Sequence, residues 1–266
     1  MTKKLISVIA AGILAVQALA IPMVSAEDTA KYVSNSDFTD CAIGGAKGQG
    51  IYGLGIILDG SPWLSKGSAS VHYQTYLHDD ARNVNYCNMY SNSDKTGSGD
   101  GAGSMYMYQR NLTAVNQIDP YGLVEFEVRV HADSQNFNFM MGWFEDPTSG
   151  GFNADTDVCV NLTIGPGGIQ ANSGKSMSNL ATIQPETWYK VRVTTNNKFE
   201  EYSASVVEID TGKTIGALED APYKASKPSD IKGIKTTCWG YIRGNTYNYD
   251  LTSVTIARSD EKYSLN

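Results

Sequence analysis

The sequence lacks the features that mark nucleic-acid-binding, membrane-inserted and nucleotide-binding proteins. It has 21 Lys and Arg against 28 Asp and Glu, a net charge of −7, and no basic cluster. This balance argues against nucleic acid and anionic lipid as partners. After residue 26 no segment is long and apolar enough to span a bilayer, so we expect no membrane insertion. The Gly-rich stretch Ser98–Ser104 lacks the flanking strand and helix of a phosphate-binding loop, which argues against nucleotide binding.

Helical periodicity, internal repeats and linkers rich in Pro or Ser are also missing. No run of ten or more residues shows a convincing 3.6-residue period, so helix should be confined to short turns. All-β sandwiches commonly reach this length as one domain. We therefore expect residues 27–266 to form a single domain.

The first residues have the pattern of an export signal. Lys3 and Lys4 precede an apolar segment from Leu5 to Ala20, and Val24-Ser25-Ala26 has the small-x-small pattern of a cleavage site. The apolar segment is shorter than a membrane span. We expect residues 1–26 to be a signal peptide, and the remaining chain to be secreted, extracellular and monomeric.

The chain has few cysteines, and the sequence does not decide their state. The four are Cys41, Cys87, Cys159 and Cys238. Export permits disulfides, and four cysteines allow three connectivities. Buried free thiols are the alternative, because a domain of this size does not need covalent cross-links to fold.

What the sequence does contain is a series of strands, clearest between Tyr121 and Thr195. Tyr121–Ala132, Phe137–Phe144, Asp157–Ile164 and Trp188–Thr194 each carry β-branched or aromatic residues with a period of two. Gly, Pro, Asn and Asp separate the runs, and Gly165-Pro-Gly-Gly168 predicts a hairpin turn into Ile169–Ala171. The pattern predicts an all-β fold, a two-sheet antiparallel sandwich.

The first of these strands alternates between apolar and polar side chains, which predicts one buried and one wet face. The expected inward residues are Val124, Phe126, Val128 and Val130, and the expected outward residues are Glu125, Glu127, Arg129 and His131. Positions two apart on a strand lie about 6.5–7 Å apart, so Glu125 and Glu127 could reach the carboxylate separation of a glycosidase. An arginine beside them would depress their pKa values, which is wrong for a general acid. A solvated strand face is the alternative interpretation.

Aromatic residues near polar ones are the candidates for sugar binding. Sugar C–H faces pack on flat rings while sugar hydroxyls need polar partners. In Ile231–Ile242 the alternation places Trp239 and Tyr241 on the face of Lys235 and Arg243, opposite the expected core face. We predict a carbohydrate site at Trp239, Tyr241 and Arg243. Weaker candidates are Tyr106, Tyr108, Trp143 and Trp63, and for each aromatic residue core packing is the alternative.

An acidic loop is the one place that suggests a metal ion. It carries Glu145, Asp146, Asp155 and Asp157. Ca²⁺ takes oxygen ligands, but the spacing matches no EF-hand loop, and a solvated turn is the alternative. We assign no metal ligand and expect no cofactor, with Ca²⁺ left open.

The segment from Pro185 to Thr195 (PETWYKVRVTT), followed by a further strand and Asp210-Thr-Gly212, resembles the concanavalin A-like lectin/glucanase (laminin-G-like) sandwiches of secreted bacterial proteins. Ile231–Ile234 and Val254–Ile256 resemble their last strands. The resemblance implies a jelly-roll sandwich of six or seven strands per sheet, one sheet concave and often sugar-binding. The glycosidase signature Glu-x-Asp-x-x-Glu, the lyase signatures Arg-x-Glu-x-Arg and Gln-x-His, and the legume-lectin metal residues are all missing.

We therefore expect a secreted, lectin-like protein that binds a polysaccharide or other glycan. Two alternatives stay open. The first is a polysaccharide-degrading enzyme of the same fold, a glycoside hydrolase or polysaccharide lyase, with Glu125 and Glu127 as its catalytic pair. The second is a surface adhesion or structural protein that recognises protein.

Overall fold

The structure is a computed structural model in which the described residues form strands and turns. The backbone is described at residues 31–36, 38, 56–58, 61–66, 72–92, 106–108, 113–114, 121–144, 158–196, 198, 200–226, 233–240 and 246–265. Side chains are described at residues 38, 76–90, 121–142, 158–196, 198, 200–226 and 246–265. Within these ranges there is no helix, and so none that could cross a membrane.

The strands, in chain order, are β1 (Lys31–Ser36), β2 (Ile56–Leu58), β3 (Ser61–Lys66), β4 (His72–Asp79), β5 (Val84–Asn92), β6 (Tyr106–Tyr108), β7 (Thr113–Ala114), β8 (Tyr121–Val130), β9 (Phe137–Phe144), β10 (Val158–Gly165), β11 (Gly168–Ser173), β12 (Ser176–Ala181), β13 (Trp188–Thr195), β14 (Glu201–Glu208), β15 (Lys213–Pro222), β16 (Gly233–Gly240) and β17 (Thr246–Ser259). They form two sheets. The eight-stranded sheet has the order β15-β14-β13-β8-β17-β5-β4, with β1 also paired to β17. The nine-stranded sheet has the order β12-β11-β10-β9-β16-β6-β3-β2, with β7 also paired to β16. Every pairing is antiparallel, which confirms the predicted all-β jelly-roll sandwich.

The core lies between the two sheets and follows the predicted alternation of β8. Val124, Phe126, Val128 and Val130 are fully buried. The ring of Phe126 lies 5.2 Å from that of Phe139, between centroids, and so joins β8 to β9 of the other sheet. Phe137 stacks on Tyr249 at 3.9 Å, a second contact of this kind. Burial of these large side chains supplies the main driving force for closing the sandwich.

Tight turns set the register of the neighbouring strands. The predicted hairpin at Gly165-Pro-Gly-Gly168 is confirmed, because Gly165 pairs directly with Gly168 at the start of the β10–β11 ladder. Between β14 and β15, Gly212 has a φ of +66°, a left-handed conformation that favours glycine. At the edge where β15 approaches β12, a Cβ on Gly216 would lie 2.0 Å from the backbone oxygen of Leu180. Glycine at this position therefore permits the two sheets to meet.

The described cysteines lie in the core. Cys159 has a free thiol that is fully buried, and this burial raises its pKa. Its Sγ donates a hydrogen bond to the backbone oxygen of Met141 at 3.2 Å. Cys87 is fully buried too. Cys41 lies outside the described residues, and for Cys238 only the backbone is described. For Cys159 the alternative of a buried free thiol therefore applies.

Candidate functional site

The outer face of β9, β10, β11 and β12 carries neutral polar side chains and methionines. Residues 137–142, 158–173 and 176–181 contain no charged residue, and Lys175 in the β11–β12 turn is the one charge between residues 158 and 184. The side chains on this face alternate with buried core residues such as Phe139 and Leu162. We call this surface the neutral face; it consists of Asn138, Met140, Asn161, Thr163, Gln170, Met177 and Asn179.

Four of these residues form one line across the strands. Asn138 of β9 pairs with Thr163 of β10, Thr163 pairs with Gln170 of β11, and Gln170 pairs with Asn179 of β12. Directly paired residues of an antiparallel sheet lie on the same face. We call this line the amide row. Asn138 and Thr163 are half-buried, whereas Gln170 and Asn179 are exposed.

Asn161 lies in the next line of the neutral face, paired with Met140. Its Oδ1 is shielded from solvent and has no hydrogen-bond partner among the described residues. Its Nδ2 lies 3.9 Å from Sδ of Met177, a methionine that is 40% exposed. A shielded acceptor without a partner is unfavourable unless water or a ligand supplies a donor.

A buried asparagine fixes the position of Asn161. Asn172 is fully buried, and its Oδ1 accepts a hydrogen bond from the backbone N–H of Asn161 at 2.6 Å. Its Nδ2 donates to the backbone oxygens of Cys159 and Gly174, both at 3.3 Å. The hydroxyl of Tyr202 donates to the backbone oxygen of Asn172, and burial raises the pKa of that phenol. The middle of β10, where Asn161 lies, is thus held by a hydrogen-bonded network of Asn172 and Tyr202.

The outer face of the eight-stranded sheet is charged, in contrast to the neutral face. Glu125 accepts a hydrogen bond from Nε of Arg192 at 2.6 Å, and its other oxygen lies 3.5 Å from Nζ of Lys190. Glu127 is paired with Arg82 from the β4–β5 turn. Both glutamates point away from the core as predicted, but the predicted wet face is wrong: Glu127 is 8% exposed, and each glutamate is bound to its own arginine. Arg129, which we expected beside them, pairs elsewhere.

Asp250 of β17 is the centre of this charged face, and it is 1% exposed. Its Oδ2 accepts hydrogen bonds from Arg129, with both Nε and Nη2 at 2.7 Å, and lies 3.0 Å from Nε2 of His131. Its Oδ1 accepts from Nδ2 of Asn88 at 2.7 Å. The hydrogen bond to Asp250, opposed by burial and reinforced by the charges of Asp250 and Glu186, raises the pKa of His131. The Asp250 carboxylate therefore links side chains of β5 and β8 to its own strand, β17.

Trp188 completes the charged face as a buried structural residue. Two guanidinium groups lie over its ring, those of Arg82 at 4.9 Å and Arg129 at 4.8 Å from the ring centroid. Tyr86 packs edge-on against it at 5.7 Å. Its Nε1 donates to Asp79 at 3.3 Å. With 4% of its surface exposed, Trp188 does not offer a platform for a sugar.

Most of the predicted sugar-binding aromatics lie on strands of the nine-stranded sheet, as the neutral face does. These residues are Trp63 in β3, Tyr106 and Tyr108 in β6, Trp143 in β9 and Trp239 in β16. By backbone register Tyr108 pairs with Cys238, which pairs with Met140, and Trp239 pairs with the core residue Phe139. The side chains of these five aromatics are not described.

Other predicted positions lie beyond what the structure covers. Tyr241, Arg243 and the acidic loop of Glu145, Asp146, Asp155 and Asp157 are outside the described residues. Within the described part of the chain, no group of three or more His, Cys, Asp and Glu side chains is placed to hold a metal ion. Binding of Ca²⁺ at the acidic loop therefore stays an open possibility, because the loop lies outside the described residues.

Comparison with known proteins shows the fold. No family profile and no curated protein matches the chain. Among solved structures, a protein of unknown function from Shewanella oneidensis MR-1 is similar over 90% of this chain and 89% of its own, with 12% identity and a TM-score of 0.56. The catalytic domain of a glycoside hydrolase family 131 protein from Coprinopsis cinerea matches 74% of this chain and 82% of its own, with 10% identity and a TM-score of 0.46. A sialidase matches 74% of this chain but only 21% of its own length, with 12% identity and a TM-score of 0.42.

Proposed function

We propose that the protein is an exported glycan-binding protein and that its sugar site lies on the neutral face. The observation that carries this proposal is a set of neutral amide, hydroxyl and thioether groups spread over four adjacent strands. Sugar hydroxyls donate and accept hydrogen bonds, and an amide side chain offers both functions. Met140 and Met177 add adaptable apolar surface for the C–H groups of a sugar ring.

Asn161 is the residue of the neutral face that most needs a partner. Its Oδ1 has no donor among the described residues but is shielded from solvent, so the amide must turn outward for a sugar hydroxyl to reach this oxygen. Asn172 fixes the backbone of Asn161, so the backbone at this position is preorganised and only the side chain has to move. Preorganisation lowers the entropy cost of binding.

The backbone register adds support at one predicted aromatic. Tyr108 pairs with Cys238, which pairs with Met140 of the neutral face, whereas Trp239 pairs with the core residue Phe139, so this support rests on Tyr108. Tyr241 and Arg243 follow β16 directly and belong to the same proposal. The expected export signal, residues 1–26, fits a protein that meets polysaccharides outside the cell. On this proposal the partner is a polysaccharide or other glycan, and the protein acts as a monomer.

Binding without catalysis fits the described geometry better than hydrolysis does. The two carboxylates of the alternative catalytic pair, Glu125 and Glu127, are each bound by an arginine on the charged face. A catalytic carboxylate must be free to contact the substrate, whereas the oxygens of these two already accept from arginine donors. The proposal therefore assigns the two glutamates to the ion-pair network of the sheet.

A glycan array tests the proposal when it is combined with a reducing-sugar assay on the chain from Glu27. We expect binding without sugar release. Asn161→Ala should weaken the binding about threefold to tenfold, as expected for the loss of one hydrogen bond. Release of reducing ends would instead favour the hydrolase alternative. Absence of binding to every glycan on the array would overturn the proposal.

A further inference from the structure

The amide row lies on paired strands, which fix its geometry as a flexible loop site would not, and a register shift between Ile169 and Gln170 adjoins its Gln170–Asn179 pair. Asn138, Thr163, Gln170 and Asn179 occupy consecutive strands of one antiparallel ladder, so their backbones are spaced by one strand separation, about 4.8 Å. That spacing is close to the length of one pyranose unit in an extended chain. The row thus offers about one polar side chain for each sugar unit of an extended chain.

Hydrogen bonding within the row leaves polar groups for a ligand. The hydroxyl of Thr163 donates to Oδ1 of Asn138 at 2.9 Å, which orients the NH₂ group of Asn138 away from Thr163 and leaves the lone pairs of the threonine oxygen available. Gln170 and Asn179 are exposed. No hydrogen bond of their side chains to another described residue occurs, so their amide groups are open to solvent or ligand.

The charge pattern limits the kind of sugar. A uronate or sulfate group held against the sheet would need a cation or several N–H donors, because an unpaired anion is costly to desolvate. No cation lies in the row itself: Lys175 is in the β11–β12 turn, and Lys235 of the adjacent β16 pairs with Gly142 of β9, four positions along that strand from Asn138. Lys190 and Arg192, which follow β12 in the chain, pair with Glu125 on the opposite sheet.

We infer that the amide row binds an extended, uncharged polysaccharide that runs across the strands, with one sugar unit at each of β9, β10, β11 and β12. This inference rests on the proposed glycan-binding function and adds the class and direction of the ligand. Each unit meets one neutral polar side chain, so affinity accumulates along the chain. A branched or compact glycan would reach only part of the row.

Isothermal titration with oligosaccharides of graded length tests the inference. The probes are β-1,4-linked oligomers of glucose, xylose and mannose with two, four and six units, and oligogalacturonates of the same lengths. We expect affinity for at least one uncharged series to rise from two to four units and then to level off. The oligogalacturonates should bind more weakly than this series at every length.

Substitutions in the row supply the second readout. Thr163→Val and Gln170→Ala should each weaken binding of the four-unit ligand about threefold to tenfold, the effect of one lost hydrogen bond. Thr163→Ser keeps the hydroxyl and should retain affinity. Ser178→Ala, an exposed position of β12 outside the row, is the matched control and should bind as the unchanged protein does. Thermal unfolding of each variant confirms that the sandwich is intact.

The outcomes distinguish failure of the amide-row inference from failure of the proposed glycan-binding function. Three results would show that the amide row is not the polysaccharide-binding site, while the proposal of glycan binding would stand. They are preferential binding of oligogalacturonate, affinity that does not depend on oligomer length, and full affinity in Thr163→Val and Gln170→Ala. No binding of any probe, together with an empty glycan array, would overturn both.

Discussion

Replacing the buried carboxylate Asp250 by asparagine should destabilise the fold strongly. The side chain is 1% exposed, binds Arg129 through two nitrogens at 2.7 Å, and lies 3.0 Å from Nε2 of His131. Asp250→Asn keeps the shape but leaves the guanidinium with only its longer ion pair, in which Nη1 lies 3.8 Å from Oδ2 of Asp79. Removal of one partner of a buried ion pair costs about 3–5 kcal/mol. Because Arg129 keeps a fifth of its side chain in water, we expect about 3 kcal/mol, near the lower end of that range.

The same substitution should remove a pH dependence of stability. The hydrogen bond to Asp250 is the main cause that raises the pKa of His131, with the charges of Asp250 and Glu186 acting in the same direction. A raised folded-state pKa contributes stability that is complete below the unfolded value of about 6.5 and is lost as pH rises through the folded value. In Asp250→Asn this decline above pH 6.5 should largely disappear.

Urea unfolding followed by tryptophan fluorescence, at pH values below and above the ordinary histidine pKa, measures both effects. Asp133→Asn is the matched control. It removes an exposed carboxylate near the same end of β17, where Oδ1 of Asp133 accepts from Asn248 at 3.0 Å, and it should change stability by less than about 0.5 kcal/mol. The reasoning is refuted if Asp250→Asn costs less than about 1 kcal/mol, or if its pH profile matches that of the unchanged protein.

Three further outcomes follow from the core and the sheet edges. Phe126→Ala removes a fully buried ring that contacts Phe139, and should cost about 3–5 kcal/mol in urea unfolding; a loss below about 1 kcal/mol would contradict the core assignment. Gly216→Ala places a Cβ 2.0 Å from the backbone oxygen of Leu180, so its melting temperature should fall, and an unchanged value would show that the edges do not meet there. Cys159 should resist iodoacetamide until urea unfolds the chain, and rapid labelling of the native protein would contradict its burial.

The sequence predicted the architecture well because a period of two is a local signal. Strand β8 was expected from Tyr121 to Ala132 and ends at Val130, and its apolar residues lie in the core as predicted. The hairpin at Gly165–Gly168 was equally local, since the turn residues Pro166 and Gly167 fix it. By contrast, β12 was not predicted: Ser176–Ala181 has four exposed residues and little periodicity, and it becomes a strand because it pairs with β11.

The site depended on register, which the sequence does not encode locally. The alternation along β10 places Asn161 and Thr163 opposite its core residues, but the alignment of Thr163 with Asn138, Gln170 and Asn179 requires four strands to be placed side by side. The partners of the glutamates were unpredictable for the same reason. Arg82 reaches Glu127 from a turn 45 positions away in the chain, and this leaves Arg129 to pair with the carboxylate of β17.

The measurement that tests the central claim most directly is glycan affinity after substitution on one outer face at a time. The probe is the glycan found on the array, and the two variants are the double substitution Asn161→Ala with Thr163→Val on the neutral face and Glu125→Gln on the charged face. The account predicts that the double variant loses about tenfold or more in affinity while Glu125→Gln binds as the unchanged protein does. Undiminished affinity in the double variant, with binding lost in Glu125→Gln, would contradict it.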